Sequence, residues 1–263
     1  MSAQNAWRWR CAACGFLASS LKPGAGTGVE GLASLRKKNF ETLLERLERF
    51  LSLKGKTLLE PGCSTGLFLE AAARRGARVL GLEPEADKAA RSRAKGFEVI
   101  PGFFPQALPA GRSFDVIVFN DVFEHLPDPV GALKVCAARM NPGGILAVNY
   151  PDCRGVLYRA AAALDRLGRH GPLERLWQKG FPSPHLSYFN RQTLARLVET
   201  SAPLRLIHTS RLAALDASGL RERVEASFQG AEAAAMLAGL RVFLPVQRAF
   251  PSDISLQFFQ ARA

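Results

Sequence analysis

Carboxylates, histidines and small residues fall at a few places along this chain where their spacing could do chemistry. The first is Thr57 to Gly66, TLLEPGCSTG. An apolar, β-branched run reaches Glu60, a small-residue turn follows through Gly62, Cys63, Ser64 and Gly66, and an apolar helical pattern begins at Leu67. Strand, tight turn and helix place a carboxylate beside the unpaired N–H groups of a helix start. Glycine lets backbone approach a ligand closely because it lacks Cβ and accepts positive φ. The spacing is neither G-x-G-x-x-G nor a phosphate loop ending in Gly-Lys-Ser/Thr, and an acidic side chain here suits a ligand that carries a cation.

A second carboxylate, Glu83, is followed by Pro84 and closes the apolar run Arg78 to Leu82. It stands about twenty positions past the glycine turn at a strand end, where an acidic side chain can accept bonds from both hydroxyls of a ribose. A third group follows SFDVIVFN (113–120): Asp121, Glu124 and His125 in the order D-x-x-E-H, then a proline turn. His125 can serve as a general base on a substrate hydroxyl; the plainer reading is that Glu124 and His125 only shape a turn and a helix start. Farther on stand His185 and Tyr188, and near the start Cys11-x-x-Cys14-Gly has the spacing of half a zinc ribbon with no second C-x-x-C to complete it.

The elements that must hold these residues alternate. Strands are predicted at Thr57 to Glu60, Arg78 to Leu82, Phe97 to Ile100, Ser113 to Asn120 (starting at an exposed Asp115) and Ile145 to Asn149. Helices are predicted at Leu67 to Arg75, Ala86 to Lys95 and Val130 to Met140, with a tight turn at Asn141-Pro-Gly-Gly. Five alternations of this kind predict a parallel, doubly wound α/β sheet with helices on both faces. Before it, Leu32 to Leu53 carries a helical stripe of Phe40, Leu43, Leu44, Leu47, Phe50 and Leu51. After it come helical stretches at Val156 to Leu167 and Leu173 to Lys179, a helix at Arg191 to Glu199, a sixth strand at Leu204 to Ser210, an alanine-rich connection over Arg211 to Phe250 and a last strand at Asp253 to Ala261.

A net charge of +12 is carried by arginines scattered along the chain, with no dense block. That pattern is a solvated basic surface more often than a nucleic-acid footprint, though it attracts anionic partners. No apolar run approaches a bilayer span, no h-region follows Met1, and five cysteines lack paired spacing. These features predict a cytoplasmic protein with reduced thiols and no membrane span. Nothing in the sequence sets the oligomeric state.

TLLEPGCSTG resembles the first motif of class I S-adenosylmethionine-dependent methyltransferases. Glu124 to Pro129, EHLPDP, resembles a signature of the small-molecule group that includes ubiquinone-biosynthesis enzymes, and N-P-G-G-x-L (141–146) and H-L-x-Y-F-N (185–190) resemble further segments of that group. The resemblance covers residues 32 to 263. It implies a Rossmann-like, seven-stranded, mostly parallel sheet with an antiparallel last strand at its edge, and S-adenosyl-L-methionine as cofactor. By position, Glu60 would lie near the sulfonium and amino-acid end, Gly62 to Gly66 would wrap the cofactor, Glu83 and Pro84 would meet the ribose, and Asn120 and Asp121 would line the methionine end. His125 would face the transferable methyl, and His185, a second candidate for the base, and Tyr188 would complete the catalytic set at the mouth of the site. The family often has an acidic residue for adenine after the third strand. Here Phe103 and Phe104 stand instead, which leaves adenine to backbone groups and to packing.

Asp121, Glu124 and His125 also resemble the E-x-x-E-H with which some ubiquinone O-methyltransferases hold a divalent cation, a minor alternative to the His125 base. Residues 1–31 form an N-terminal arm, the CxxC half-ribbon plus a glycine-rich linker, and 152–184 is a predicted substrate-cap insertion. The function implied is methyl transfer to an oxygen, less favourably a nitrogen or carbon, of a small-molecule acceptor. RNA as acceptor, or a non-catalytic cofactor- or partner-binding role on the same fold, are the competing readings.

Overall fold

The structure, a computed structural model, describes residues 2–5, 7–24, 33–215, 220–225, 229–246 and 250–262. Three short strands open the chain: β1 (Ser2–Asn5), β2 (Arg8–Arg10) and β3 (Leu17–Ser19). The alternating part follows with α1 (Ala33–Leu47), β4 (Thr57–Pro61), α2 (Leu67–Arg74), β5 (Arg78–Glu83), α3 (Ala86–Ala94), β6 (Glu98–Pro101), β7 (Phe114–Asn120), a 3-10 turn over Phe123–His125, α4 (Pro129–Ala138) and β8 (Met140–Pro151). The remainder is α5 (Val156–Arg166), α6 (Gly171–Leu176), β9 (Ser187–Tyr188), α7 (Arg191–Ser201), β10 (Leu204–Leu212), α8 (Leu220–Glu225), α9 (Gly230–Val246) and β11 (Ile254–Ala261).

Seven strands form the main sheet in the order β10-β11-β8-β7-β4-β5-β6. The pairs from β8 to β6 are all parallel, and β11 is antiparallel to both its neighbours. The crossovers place α1 and α2 on one face, over a core of Leu58, Val116, Val118 and Phe258, and α4 and α7 on the other, over Leu59, Ile117, Phe119 and Leu146. Successive strand residues thus enter opposite cores, as expected for a sheet covered on both sides. A second, four-stranded sheet, β1-β2-β3-β9, joins the opening strands to the segment after α6.

Several expectations change. The last strand does not sit at the edge: β11 inserts between β8 and β10, leaving β10 outermost. Leu256, Phe258 and Phe259 are fully buried, and a strand apolar on both faces belongs inside a sheet. Asp115 is not exposed; its carboxylate accepts from the backbone N–H and hydroxyl of Thr57, at 2.9 Å each, and from Asn141 Nδ2, so it ties β7 to β4. The Asn141-Pro-Gly-Gly turn lies within β8 as an irregularity: Phe114 pairs with Met140 and Val116 already with Ile145. α1 ends at Leu47, so Phe50 leaves the predicted stripe and packs on Phe258 from beyond the helix. The predicted linker over Lys22 to Gly31 falls largely outside the described residues, as do parts of the Arg211 to Phe250 connection.

Glycine is required at the start of α2. Gly66 has φ of 76°, and a Cβ there would land on Ser92 Oγ and lie 3.2 Å from the Phe97 ring. Gly66→Ala is therefore expected to destabilise the protein by about 2–4 kcal/mol, from left-handed strain plus overpacking. A denaturant melt checks this, and an unchanged midpoint would show that the turn relaxes.

Candidate active site

The carboxyl ends of β4, β5, β7 and β8 gather the polar residues. Glu60 is 2% exposed, and its Oε1 accepts from Asn120 Nδ2 at 2.8 Å across the β4–β7 step. Burial pushes the Glu60 carboxyl up to about 8, offset in part by the Asn120 amide. Glu60 Oε2, Asn120 Oδ1 and Asn149 Oδ1 are buried and have no partner. Asn149 pairs in register with Asn120, so both strand ends present an amide at the same level. Sequence reasoning missed Asn149; its signal was that it ends the fifth strand as Asn120 ends the fourth. The Arg36 side chain on α1 is close enough to favour the ionised form of Glu60.

Glu83 faces the glycine turn. Its two oxygens accept from the N–H groups of Ser64, at 2.8 Å, and Glu85, at 2.9 Å. Burial raises its carboxyl above the usual range, with these N–H groups working against that. The backbone around the cleft is wound unusually: Gly62, Ser64, Gly66 and Asp121 all have φ between 49° and 76°. For Ser64 and Asp121 this left-handed region is a strained choice, found mostly where surroundings impose it. A Cβ at Gly62 would lie 2.6 Å from Val122 Cγ2, so protein packing already demands glycine there.

Other predicted contacts are placed differently from one another. The Cys63 side chain turns into a small core with Leu69, Ala89 and Val99, leaving only its backbone toward the turn. Phe104 is buried edge-on against Phe119, whereas Phe103 is 54% exposed; of the two rings, only Phe103 is free to meet a ligand. Pro84 lies half-buried beside Glu83.

Past β7, the 3-10 turn aims Glu124 and His125 at His185. The imidazoles meet edge to face with centroids 4.8 Å apart, and His185 Nε2 lies 4.0 Å from Glu124 Oε1. His125 Nδ1 is 2.9 Å from the Pro184 carbonyl, which can only accept, so Nδ1 carries the hydrogen and Nε2 keeps its lone pair. Ser183 Oγ lies 3.3 Å from the same Nδ1. Burial lowers the affinity of His125 for a second proton, and burial together with His125 does so more strongly for His185. Glu124 is held well above the usual carboxyl range by burial, then by the charge of Asp121. Gln178, absent from the sequence reading, places its amide nitrogen 3.0 Å from His185 Nε2. Tyr188 is buried behind the pair, its ring 5.3 Å from that of His185 and its hydroxyl toward the Leu176 carbonyl.

Ligand-type atoms of Glu124, His125 and His185 lie within 4.8 Å of one another, the one such cluster of three among the described residues. Glu124 and His125 of the sequence-predicted metal candidates belong to it; His185 takes the place expected for Asp121. Cys11 and Cys14 are free thiols in the turn between β2 and β3. A separate cavity of about 670 Å³ opens beside the carboxyl end of β10, between α1, α9 and residues 250–253, lined by Lys38, Arg46 and Arg211 and by Leu212, Phe243 and Leu244. None of the cleft residues line it.

Residues 35–201, well over half of the chain, match the methyltransferase-domain family. Over 105 residues the chain is 34% identical to the ubiquinone biosynthesis O-methyltransferase of Sodalis glossinidius (strain morsitans), covering 37% of this chain and 42% of that protein. The chain thus matches less than half the length of this curated relative. Among solved structures, an S-adenosylmethionine-dependent methyltransferase from Mesorhizobium loti superposes with TM-score 0.55 at 19% identity, covering 82% of this chain and 96% of its own. Magnesium protoporphyrin IX methyltransferase from Synechocystis PCC 6803, solved with bound SAH, superposes with TM-score 0.56 at 11% identity and 90% coverage of each. These structural likenesses speak to the fold, the sequence match to descent: the chain belongs to the methyltransferase-domain family.

Proposed function

We propose that the protein is an S-adenosyl-L-methionine-dependent methyltransferase that acts on an oxygen of a small molecule. The observation that carries the oxygen assignment is the neutral His125, its Nδ1 hydrogen committed to Pro184 and its Nε2 lone pair available. The cofactor's fit rests on the cleft: a buried, partnerless Glu60 Oε2 and two partnerless amide oxygens suit a ligand bearing a sulfonium and an ammonium. When bound, the cofactor supplies a methyl group on a positively charged sulfur.

The chain's own residues then have separable tasks. Glu60, with Asn120, Asn149 and Asp121, holds the cationic end; Glu83 takes the ribose hydroxyls in place of part of its present N–H bonding; the 62–66 turn and exposed Phe103 cover the remainder. His125 Nε2 removes the proton from the acceptor hydroxyl, while His185, Glu124 and Tyr188 keep that imidazole oriented and shielded from water. Glu83→Ala is expected to weaken cofactor binding about tenfold to a hundredfold, the scale of one hydrogen bond to a charged group. Calorimetry showing wild-type affinity would remove the ribose assignment.

A second reading has its own observation, the Glu124, His125 and His185 cluster. Those three residues, with buried Glu124 Oε2 lacking a partner, could hold a divalent cation that acidifies a bound hydroxyl. Activity that survives exhaustive chelation and does not respond to added Mg²⁺, Mn²⁺ or Zn²⁺ would leave the histidine base alone.

The overall test is transfer of labelled methyl from S-adenosyl-L-methionine into a fractionated cell extract, counted separately in small molecules, RNA and protein. Label in the small-molecule fraction supports the proposal and yields the acceptor's mass. Label confined to RNA or protein overturns it.

A further inference from the structure

The opening strands are wired to the imidazole pair. β3 runs antiparallel to β9, with Leu17 opposite Tyr188 and Ala18 opposite Ser187. Ser19 extends the ladder: its N–H donates to the Leu186 carbonyl and its hydroxyl to the His185 carbonyl, each at 2.9 Å. On the other side of the same segment, His185 N–H donates to Trp177 O, and Leu186 N–H to Glu124 O in the 3-10 turn. The backbone that carries His185 is therefore held between the turn bearing His125 and the strand bearing Ser19.

Side chains repeat the connection. His185 packs on Tyr188, Tyr188 lies 5.0 Å from Trp177, and Trp177, fully buried, takes the edge of Trp7 at 5.7 Å. Arg8, only 4% exposed, bonds Asp165 of α5 at 2.9 Å, and Asp165 itself is 12% exposed. A buried ion pair at this distance fixes the opening strands against the insertion, since separating it would strand two charges. β9 has two residues and cannot hold a register alone.

We propose that residues 7–20 act as a strap that positions His185 against His125, with Ser19 as the positioning residue and Trp7 and Arg8 as its anchors. The strap is thus part of the working site. Its effect on turnover rests on the reading of His125 as base; its effect on the imidazoles does not.

The test uses the full chain, stripped of metal by chelation, with its four histidines, His125, His170, His185 and His208, followed by the positions of their Cε1–H NMR signals at one fixed pH. Ser19→Ala should shift the His185 and His125 signals together, as their ring contact loosens, while His208 on β10 stays put. Ser19→Thr, which keeps the hydroxyl, should restore the wild-type positions. In the assay of labelled methyl transfer into cell extract, Ser19→Ala should lower the initial rate about threefold to tenfold with little change in cofactor affinity, the scale of one hydrogen bond. Unchanged His125 and His185 signals in both Ser19→Ala and Trp7→Phe overturn the strap. If Ser19→Ala disturbs all four histidines, Ser19→Thr decides: recovery upholds the proposal and equal disturbance overturns it. Altered signals with an unaltered rate would keep the strap and count against the histidine base.

Discussion

His125→Ala is expected to lower turnover by about a hundredfold or more while cofactor affinity stays near the wild-type value. The size follows from what the imidazole does in its surroundings. Its Nδ1–H is spent on the Pro184 carbonyl, so the ring is oriented and the tautomer set. Burial keeps it neutral at pH 7, ready to accept a proton, and the His185 ring packs edge to face with it. Because its affinity for protons is lowered, the acid limb of the rate profile should fall below the ordinary histidine midpoint of about 6.5. Above that limb the base is fully available. Isothermal calorimetry on the variant separates the roles: if cofactor affinity drops in step with turnover, His125 is a binding or structural residue and the oxygen-nucleophile reading loses its support.

Binding of the cofactor should be strongly linked to pH through Glu60. In the free protein its carboxyl is pushed up to about 8, so at pH 7 it is mostly protonated. A sulfonium and an ammonium beside it favour the ionised form, so binding expels a proton. The sign is fixed by that difference. Affinity should rise with pH by up to about tenfold per unit below 8, and level off where Glu60 is already ionised. Above about 8 the ligand's own α-amino group begins to lose its charge, which gives the curve a maximum. Glu60→Gln keeps the hydrogen-bonding shape and removes the titration; it should flatten the slope and bind weakly at pH 8. Calorimetry in two buffers of different ionisation enthalpy counts the released proton directly. No proton release at pH 7 would mean that Arg36 and Asn120 already hold Glu60 ionised.

Local patterns in the chain reported on what is local in the fold. Thr57 to Gly66, Glu83 at its strand end and the five alternations were legible because strand, turn and helix signals come from neighbouring residues. The position of β11 was less so: its apolar residues predict a strand, but whether it lies inside or at the edge depends on which strand pairs with its other side, a contact made far along the chain. Asp115 read as exposed because its partners, Thr57 and Asn141, approach only when three strands assemble. The same holds in the site. Glu124 and His125 stood out by spacing, but their meeting with His185 and Gln178, about sixty residues on, is a tertiary event. The Ser19 contact with His185 had no sequence signal at all, since a serine on a short strand is unremarkable by type.

The placement of β11 bears on how the protein is made. Among the described residues, β10 bonds to the main sheet through β11 alone, and β11 is synthesised after β10, α8 and α9. While the ribosome is still working, the strands from β4 to β8 can pair among themselves, but β8 must wait with an open edge and β10 with no sheet to join. β11 then pairs on both sides, with β8 and with β10, a long-range step that follows the synthesis of both partners. Nascent chains stalled just before Ile254 should therefore expose the unpaired backbone edge of β8 between Ile145 and Pro151, a template for pairing with another chain.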